Sequence, residues 1–293
     1  MNKRLQNGEA EAVISTLGAE LVSFRRKDTG AEYIWSGDAA YWTGRSPVLF
    51  PIIGAAKNGE IKVDGQAYTI GNHGFARRCE FTLVEESDTT AVFLLSHSES
   101  TLDSYPFKFN LYITYTLNGN QLELGYRVDN IDEQDIFFQL GTHPAFNCPF
   151  AGEGSLADYF LEFDEPEHLE RLFLNASGLL ISGKSESVLH EEQQAILPLN
   201  HEMFYDGALI FREVNSRQIT LKSKLSATSV VVSYQGFPDL GIWQPKDAPF
   251  VCIEPWHGVA DSEHFEGELQ DKEGIIRLTQ GADFTSSLTI EIR

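Results

Sequence analysis

Two histidines in this chain stand where a proton could be moved. In "QLGTHPAFNCPF", residues 139–150, His143 follows an apolar run and precedes a proline that holds the backbone before it extended. An imidazole there titrates close to working pH and can give or take a proton. His73 lies in "GNHGFARRCEF", a loop whose glycines let the backbone approach a ligand closely, and Arg77 adds a planar fork of donors for hydroxyl or anionic groups. Glu254 comes directly out of the apolar run "FVCI" in "CIEPWHG". Lost hydration at such a strand end raises a carboxyl's pKa and makes it a better base near neutral pH. Asp206 in "FYDGALIF" and Trp243 in "FPDLGIWQP" also interrupt apolar runs. Each residue has a structural alternative: a lysine-paired Glu254, a core His143 bonded to a carbonyl, a solvated turn at His73, and a Trp243 that simply fills the core.

Metal and nucleophile chemistry find less support. Glu254 and His257 form E-x-x-H, but on a strand or loop that spacing does not put both side chains on one face, and no second ligand pair of recognised spacing exists. No metal is expected in the reaction. Cys148 sits in "NCPF" with no base beside it and reads as a buried structural thiol. The chain carries no G-x-S-x-G, no P-loop and no G-x-G-x-x-G after a strand, so serine hydrolase, NTPase and dinucleotide chemistry lack support and no cofactor is expected.

The elements that must position these residues are strands. In "FKFNLYITYTLNGNQLELGYRVDN", Phe107, Phe109, Leu111, Ile113, Tyr115 and Leu117 alternate with polar residues. The alternation resumes after Asn118-Gly119-Asn120 with Leu122, Leu124, Tyr126 and Val128. A period of two on both sides of a turn that tolerates positive φ predicts a long hairpin with one buried face. Strand-sized runs recur: "AVFLLSH", "IFFQL", "YFLEF", "RQITLK", "SVVVSY", "FVCIEP" and "SLTIEIR". Only "LPLNHEMFY" (197–205) and "SEHFEG" (262–267) suggest helix, both too short to form a layer. The expected class is all-β, a large antiparallel sandwich of about twenty strands forming one domain over residues 1–293, with ligands on a sheet face or at strand-end loops.

Composition narrows the partners. The 293 residues, 42% hydrophobic, bury a large core without help from disulfides or metals. Lys and Arg number 22 against 43 Asp and Glu, and the net charge of −21 repels phosphate backbones and anionic lipid surfaces. Nucleic acid and membrane partners are therefore not expected. Three cysteines without C-x-x-C spacing fit reduced thiols, and neither the N-terminus nor "PVLFPIIG" is apolar for long enough to be a signal or a span, so the expected location is cytoplasmic.

Taken in order, "SPVLFPIIGAAKNGEIKVDGQAYTIGNHGFAR", "GTHPAFN", "FYDGALIF", "GIWQP" and "CIEPWHG" resemble the aldose 1-epimerase (galactose mutarotase) family, most closely its LacX-like branch. The resemblance covers essentially the whole chain. It implies a β-supersandwich with an open sugar cleft and interconversion of the α and β anomers of a free hexose without cofactor or metal. It places the acid on His143, the base on Glu254, the histidine near the sugar ring oxygen on His73, and the hydroxyl-binding aspartate on Asp206. One departure stands out: typical mutarotases carry an arginine after the glycine of "FPxxG", whereas Ala55 follows Gly54 here. Lys57 or Arg77 could supply that charge. Arg77 in "HGFAR" is shared with relatives acting on hexose 6-phosphates, which keeps that substrate open. The alternatives are a sugar-binding protein without activity and a glycoside hydrolase, the latter needing two carboxylates across the scissile bond. Beside the motifs the cations singled out are Arg45, Lys57, Arg77 and Arg78, on a strongly negative protein, so a neutral aldohexose is expected over its phosphate.

Overall fold

The computed structural model describes residues 1–150, 154–189 and 195–293. Twenty-four strands run through these residues, and two large sheets dominate. The first has nine strands in the order Ile196–Pro198, Tyr159–Phe163, Gln218–Ser223, Ser229–Gln235, Asp283–Ile292, Gln121–Asn130, Phe109–Asn118, Thr90–Ser96, Thr82–Glu86. The expected hairpin lies inside it: Asn118 pairs with Gln121 across Gly119-Asn120, and the ladder continues to Phe109 and Asn130. Gly119, at φ 57°, takes the left-handed conformation that closes the turn.

The second sheet has eight strands. Leu180–Leu189, Leu169–Leu174, Leu209–Phe211, Asp239–Trp243, Phe250–His257, Leu140–Thr142 and Val48–Leu49 follow one another, and Ala145–Asn147 also pairs with Phe250–His257. The ladders next to the glutamate strand are antiparallel.

Strand alternation explains how the sheets pack. Leu111, Ile113, Tyr115, Leu122 and Leu124 from the nine-stranded sheet meet Leu209, Phe211, Leu240, Ile242, Val251 and Ile253 from the eight-stranded sheet in one large core. The alternate residues of the eight-stranded sheet point away from that core. On this far face Trp35, Ala145, Ala248, Phe250 and Cys252 form one small cluster, and Leu49, Ile53, Leu180, Ile210, Trp256, Val259 and Ala260 form another. Glu254 lies on the strand between Cys252 and Trp256, hence between the two clusters.

The two short helical expectations are corrected. Residues 196–198 form a strand that buries Leu197 while Pro198 sits exposed at the sheet edge, and only Glu202–Phe204 makes a 3-10 turn. Residues 262–267 form a bridge and a turn, and the 3-10 turn comes later, at Leu269–Asp271. A one-turn α-helix not anticipated from sequence, Glu99–Leu102, is held by a reciprocal cap between Ser98 and Thr101. No helix among the described residues is long and apolar enough to cross a membrane.

Candidate active site

The far face of the eight-stranded sheet brings His143 and Glu254 together. His143 Nε2 lies 3.2 Å from Glu254 Oε2, and the residues are 7% and 1% exposed. The contact is close, but Glu254 Oε2 and His143 Nδ1 are both buried without a formed hydrogen bond. Two buried polar atoms held this way are expensive unless a ligand completes their bonding. The neighbour of Glu254 is an imidazole, not a lysine.

Local structure explains why these two groups meet. Glu254 is directly opposite Gly241 on the Asp239–Trp243 strand. A Cβ at Gly241 would fall 2.5 Å from the Trp256 ring, so the glycine lets that indole lie flat beside the glutamate. On the other side Ala145 pairs with Cys252, and Ile253 N–H donates to Pro144 O at 3.2 Å, which carries His143 across the glutamate strand. Gln139 stitches the motifs together: its Oε1 accepts from Ile53 N–H at 2.9 Å, and its Nε2 donates to Val259 O and Glu273 O at 3.1 and 2.8 Å.

His73 arrives from a strained loop. Its φ of 59° is unusual for a residue with a side chain, and Gly74 follows at φ 67°, where a Cβ would sit 2.2 Å from Phe50 O. The loop is pinned to the "FPIIG" segment by reciprocal bonds: Gly54 N–H donates to His73 Nδ1 at 3.0 Å, and His73 N–H donates to Gly54 O at 2.9 Å. With Nδ1 accepting, the neutral ring carries its proton on Nε2 and is a donor. The His73 ring stands edge-on to His143, centroids 6.0 Å apart.

Aromatic rings close the site. Trp42 stacks on the His143 imidazole at 4.8 Å, and Trp243 meets the same ring edge-on at 5.6 Å. The two indoles also touch, at 5.4 Å. Trp42 and Trp256 went unremarked in sequence. Trp42 in "AAYWTGRSP" is an aromatic in a run of small and polar residues, which is a weak signal.

This packing sets the electrostatics. Burial pushes the Glu254 carboxyl well above its ordinary range, an effect the facing Trp256 indole opposes. Burial lowers His143 to about 3, and the Arg77 charge pushes the same way. His73 also falls well below the usual imidazole range through burial, with His143, Arg77 and Arg78 adding to it. The Cys252 thiol is pushed well up by burial and by Glu254. Burial thus disfavours both a second proton on the His143–Glu254 pair, which would bury a cation, and loss of the first, which would bury an anion. Protonated glutamate with neutral histidine, and carboxylate with imidazolium, contain the same single proton.

The remaining sequence candidates lie further out. Arg77 is half-buried, donates to Asn72 O at 2.9 Å, and has its own pKa lowered by burial. Lys57 sends its ammonium to Glu266 and its N–H to Asp261 Oδ2; none of its described contacts reaches the imidazoles. Asp206 is exposed in the turn before Leu209–Phe211, and its charge faces the buried Arg171. Arg45 Nε donates to Ser36 O, and Arg78 Nη1 to Gly74 O. His257 points to the opposite side of its strand from Glu254, toward Gly274 O and Phe284. Cys148 is buried, and all three cysteines are free.

Comparison with known proteins matches this architecture. The sequence model described as Aldose 1-epimerase matches residues 2–276. The chromosomal LacX protein of Lactococcus lactis is 33% identical over 287 residues, 95% of each chain. A solved galactose mutarotase related enzyme from Lactobacillus acidophilus superposes with a TM-score of 0.94 at 31% identity, covering 100% of this chain and 97% of its own. A galactose mutarotase-like protein from Lactobacillus casei gives 0.92 at 31%, covering 100% of both. With the family model spanning nearly the whole length and relatives this similar end to end, the chain belongs to the aldose 1-epimerase family.

Proposed function

We propose that this protein interconverts the α and β anomers of a free aldohexose, with Glu254 and His143 as the base and acid. The observation that carries the reading is the buried carboxyl–imidazole contact of 3.2 Å, neither group satisfied, beneath two indoles. The hydroxyl oxygen and ring oxygen of a cyclic sugar are both bonded to C1. Groups one hydrogen-bond length apart can therefore serve both oxygens at once.

Glu254 as carboxylate takes the proton of the C1 hydroxyl while imidazolium His143 protonates the ring oxygen. The C1–ring oxygen bond breaks and the open-chain aldehyde forms. After a half-turn about C1–C2, neutral His143 takes the proton back from the hydroxyl formed at ring opening, and protonated Glu254 returns its proton to the aldehyde oxygen as the ring closes. The pair begins and ends with one proton. His73 Nε2–H is a donor for a sugar oxygen beside this pair, and Trp243 offers apolar surface for a sugar face. Arg77 and Asp206 are assigned to the sugar's outer hydroxyls, whereas Lys57 is held by Glu266.

The test is NMR exchange between anomer signals over a panel of sugars and sugar phosphates. Glucose or galactose should exchange faster than glucose 6-phosphate. Glu254→Gln and His143→Asn should each lower kcat by about 10²–10⁴-fold with the fold retained. Near-wild-type exchange in both variants would refute the assignment. A tenfold preference for the phosphate that weakens with salt would move the substrate to a hexose 6-phosphate.

A further inference from the structure

We infer that His143, Cys252 and Glu254 also form a three-donor site for a zinc-like divalent cation, and that occupation of this site inhibits the enzyme. One nitrogen, one sulfur and one carboxylate oxygen from these buried residues all lie within 4.8 Å of one another. Cys252 and Glu254 are two apart on one strand and so share a face, and the backbone pairing of Ala145 with Cys252 sets His143 over both. Glu254 Oε2, 1% exposed at the residue level, has no hydrogen bond to give up when a cation arrives.

Ligand chemistry selects the class of ion. Metal–ligand lengths of about 2.0–2.3 Å put tetrahedral ligand atoms roughly 3.3–3.8 Å apart, so the site closes with movements of about an ångström. Thiolate with imidazole favours zinc-like ions, whereas calcium and magnesium favour oxygen ligands. Binding needs thiolate, neutral imidazole and carboxylate. The thiol proton and the proton shared by the pair therefore both leave to solvent, and burial of the thiol keeps the affinity moderate. The resident cation would hold the carboxylate and the imidazole at once, leaving neither for a sugar.

Inhibition rests on the reading of His143 and Glu254 as the reacting pair; binding does not. Metal-free protein is titrated with cadmium as an optical probe, following the ultraviolet thiolate-to-cadmium absorption and the anomer exchange rate in the same samples. We expect absorption that saturates at one equivalent, is displaced by zinc, and parallels a loss of exchange that a chelator restores. Cys252→Ser should lose the absorption and raise the inhibitory zinc concentration by at least about tenfold. A variant with Cys79 and Cys148 both changed to serine must keep the absorption, which guards against a misfolded Cys252→Ser. Absorption that is missing from wild type, or retained in Cys252→Ser, overturns the site. Absorption without inhibition of an active enzyme overturns the inhibitory role. A protein showing the absorption but inactive on every sugar keeps the site and refutes the proposed reaction instead.

Discussion

At the scale of the residue, the proposed acid–base pair His143–Glu254 gives up stability by burying polar atoms without partners. Burial moves the two pKa values apart, His143 down to about 3 and Glu254 well above 4.5. Activity should fall on the acid side only when a second proton joins the pair, and on the alkaline side only when the first one leaves. The kcat/KM profile of the free enzyme should therefore be flat through neutrality, with its acid limb well below 6.5. A limb centred near 6.5 would mean that His143 titrates as an exposed imidazole. The same shift makes a stability prediction. The unfolded Glu254 ionises near 4.5, while the folded carboxyl holds its proton to higher pH. A raised pKa supports folding below 4.5, and that support drains away as pH rises toward the folded value. Glutamine never ionises and escapes the loss. Glu254→Gln should thus raise Tm, and raise it more at about pH 8 than at about pH 5, while abolishing most activity. An equal or lower Tm for the variant at the higher pH would contradict the buried, protonated carboxyl.

At the scale of the element, the site is an agreement among segments far apart in sequence, and Gln139 enforces it. Its carboxamide holds Ile53, Val259 and Glu273, the first on the segment that pins His73 and the second just beyond the glutamate strand. Gln139→Leu keeps the volume but strips partners from the buried Ile53 N–H, the buried Val259 carbonyl and the partly buried Glu273 carbonyl. Leaving buried groups unpaired costs about 1–3 kcal/mol each, and a net loss of about 3 kcal/mol is expected once the carbonyls relax. Urea unfolding reads the stability, and anomer exchange should fall with it at denaturant-free conditions as Gly54 and His73 lose their place. A stable variant with full activity would show that the strands alone hold the motifs in register. Alternation made the hairpin of residues 107–128 legible in sequence, because apolar residues at every second position can only be buried on one face, whereas the site's strands, buried on both faces, show only as short apolar runs. Gln139 carried no such signal: a polar residue in an apolar strand reads the same whether it serves a ligand or three backbone groups.

At the scale of the whole molecule, two sheets bury one core and leave the candidate site on the outer side of one of them. A buried ion pair, Lys272 with Asp261, ties the segment after the glutamate strand to the loop of Ala55 and Lys57, whose Ala55 O and Lys57 N–H also bond to Asp261. Both residues are under 5% exposed. Lys272→Met would leave the carboxylate buried and uncompensated, and should cost about 3–5 kcal/mol, read as a fall in the urea midpoint. A change below about 1 kcal/mol would mean that water reaches Asp261. What the sequence determined by itself is the class of fold and the family: period-two runs demand sheets, and five motifs in order match one family along the chain. It also determined that Glu254 and His257 cannot share a face, since three residues on a strand put them on opposite sides. Other features were decided only by the tertiary structure. Cys252 meets His143, Trp42 covers that same imidazole, and Lys57 turns to Glu266 instead of the imidazoles. These contacts join residues separated by 100 or more positions, or depend on where a loop lays one flexible side chain. Sequence periodicity records which face a residue takes, whereas the partner it meets there is chosen by the packing of the other strands.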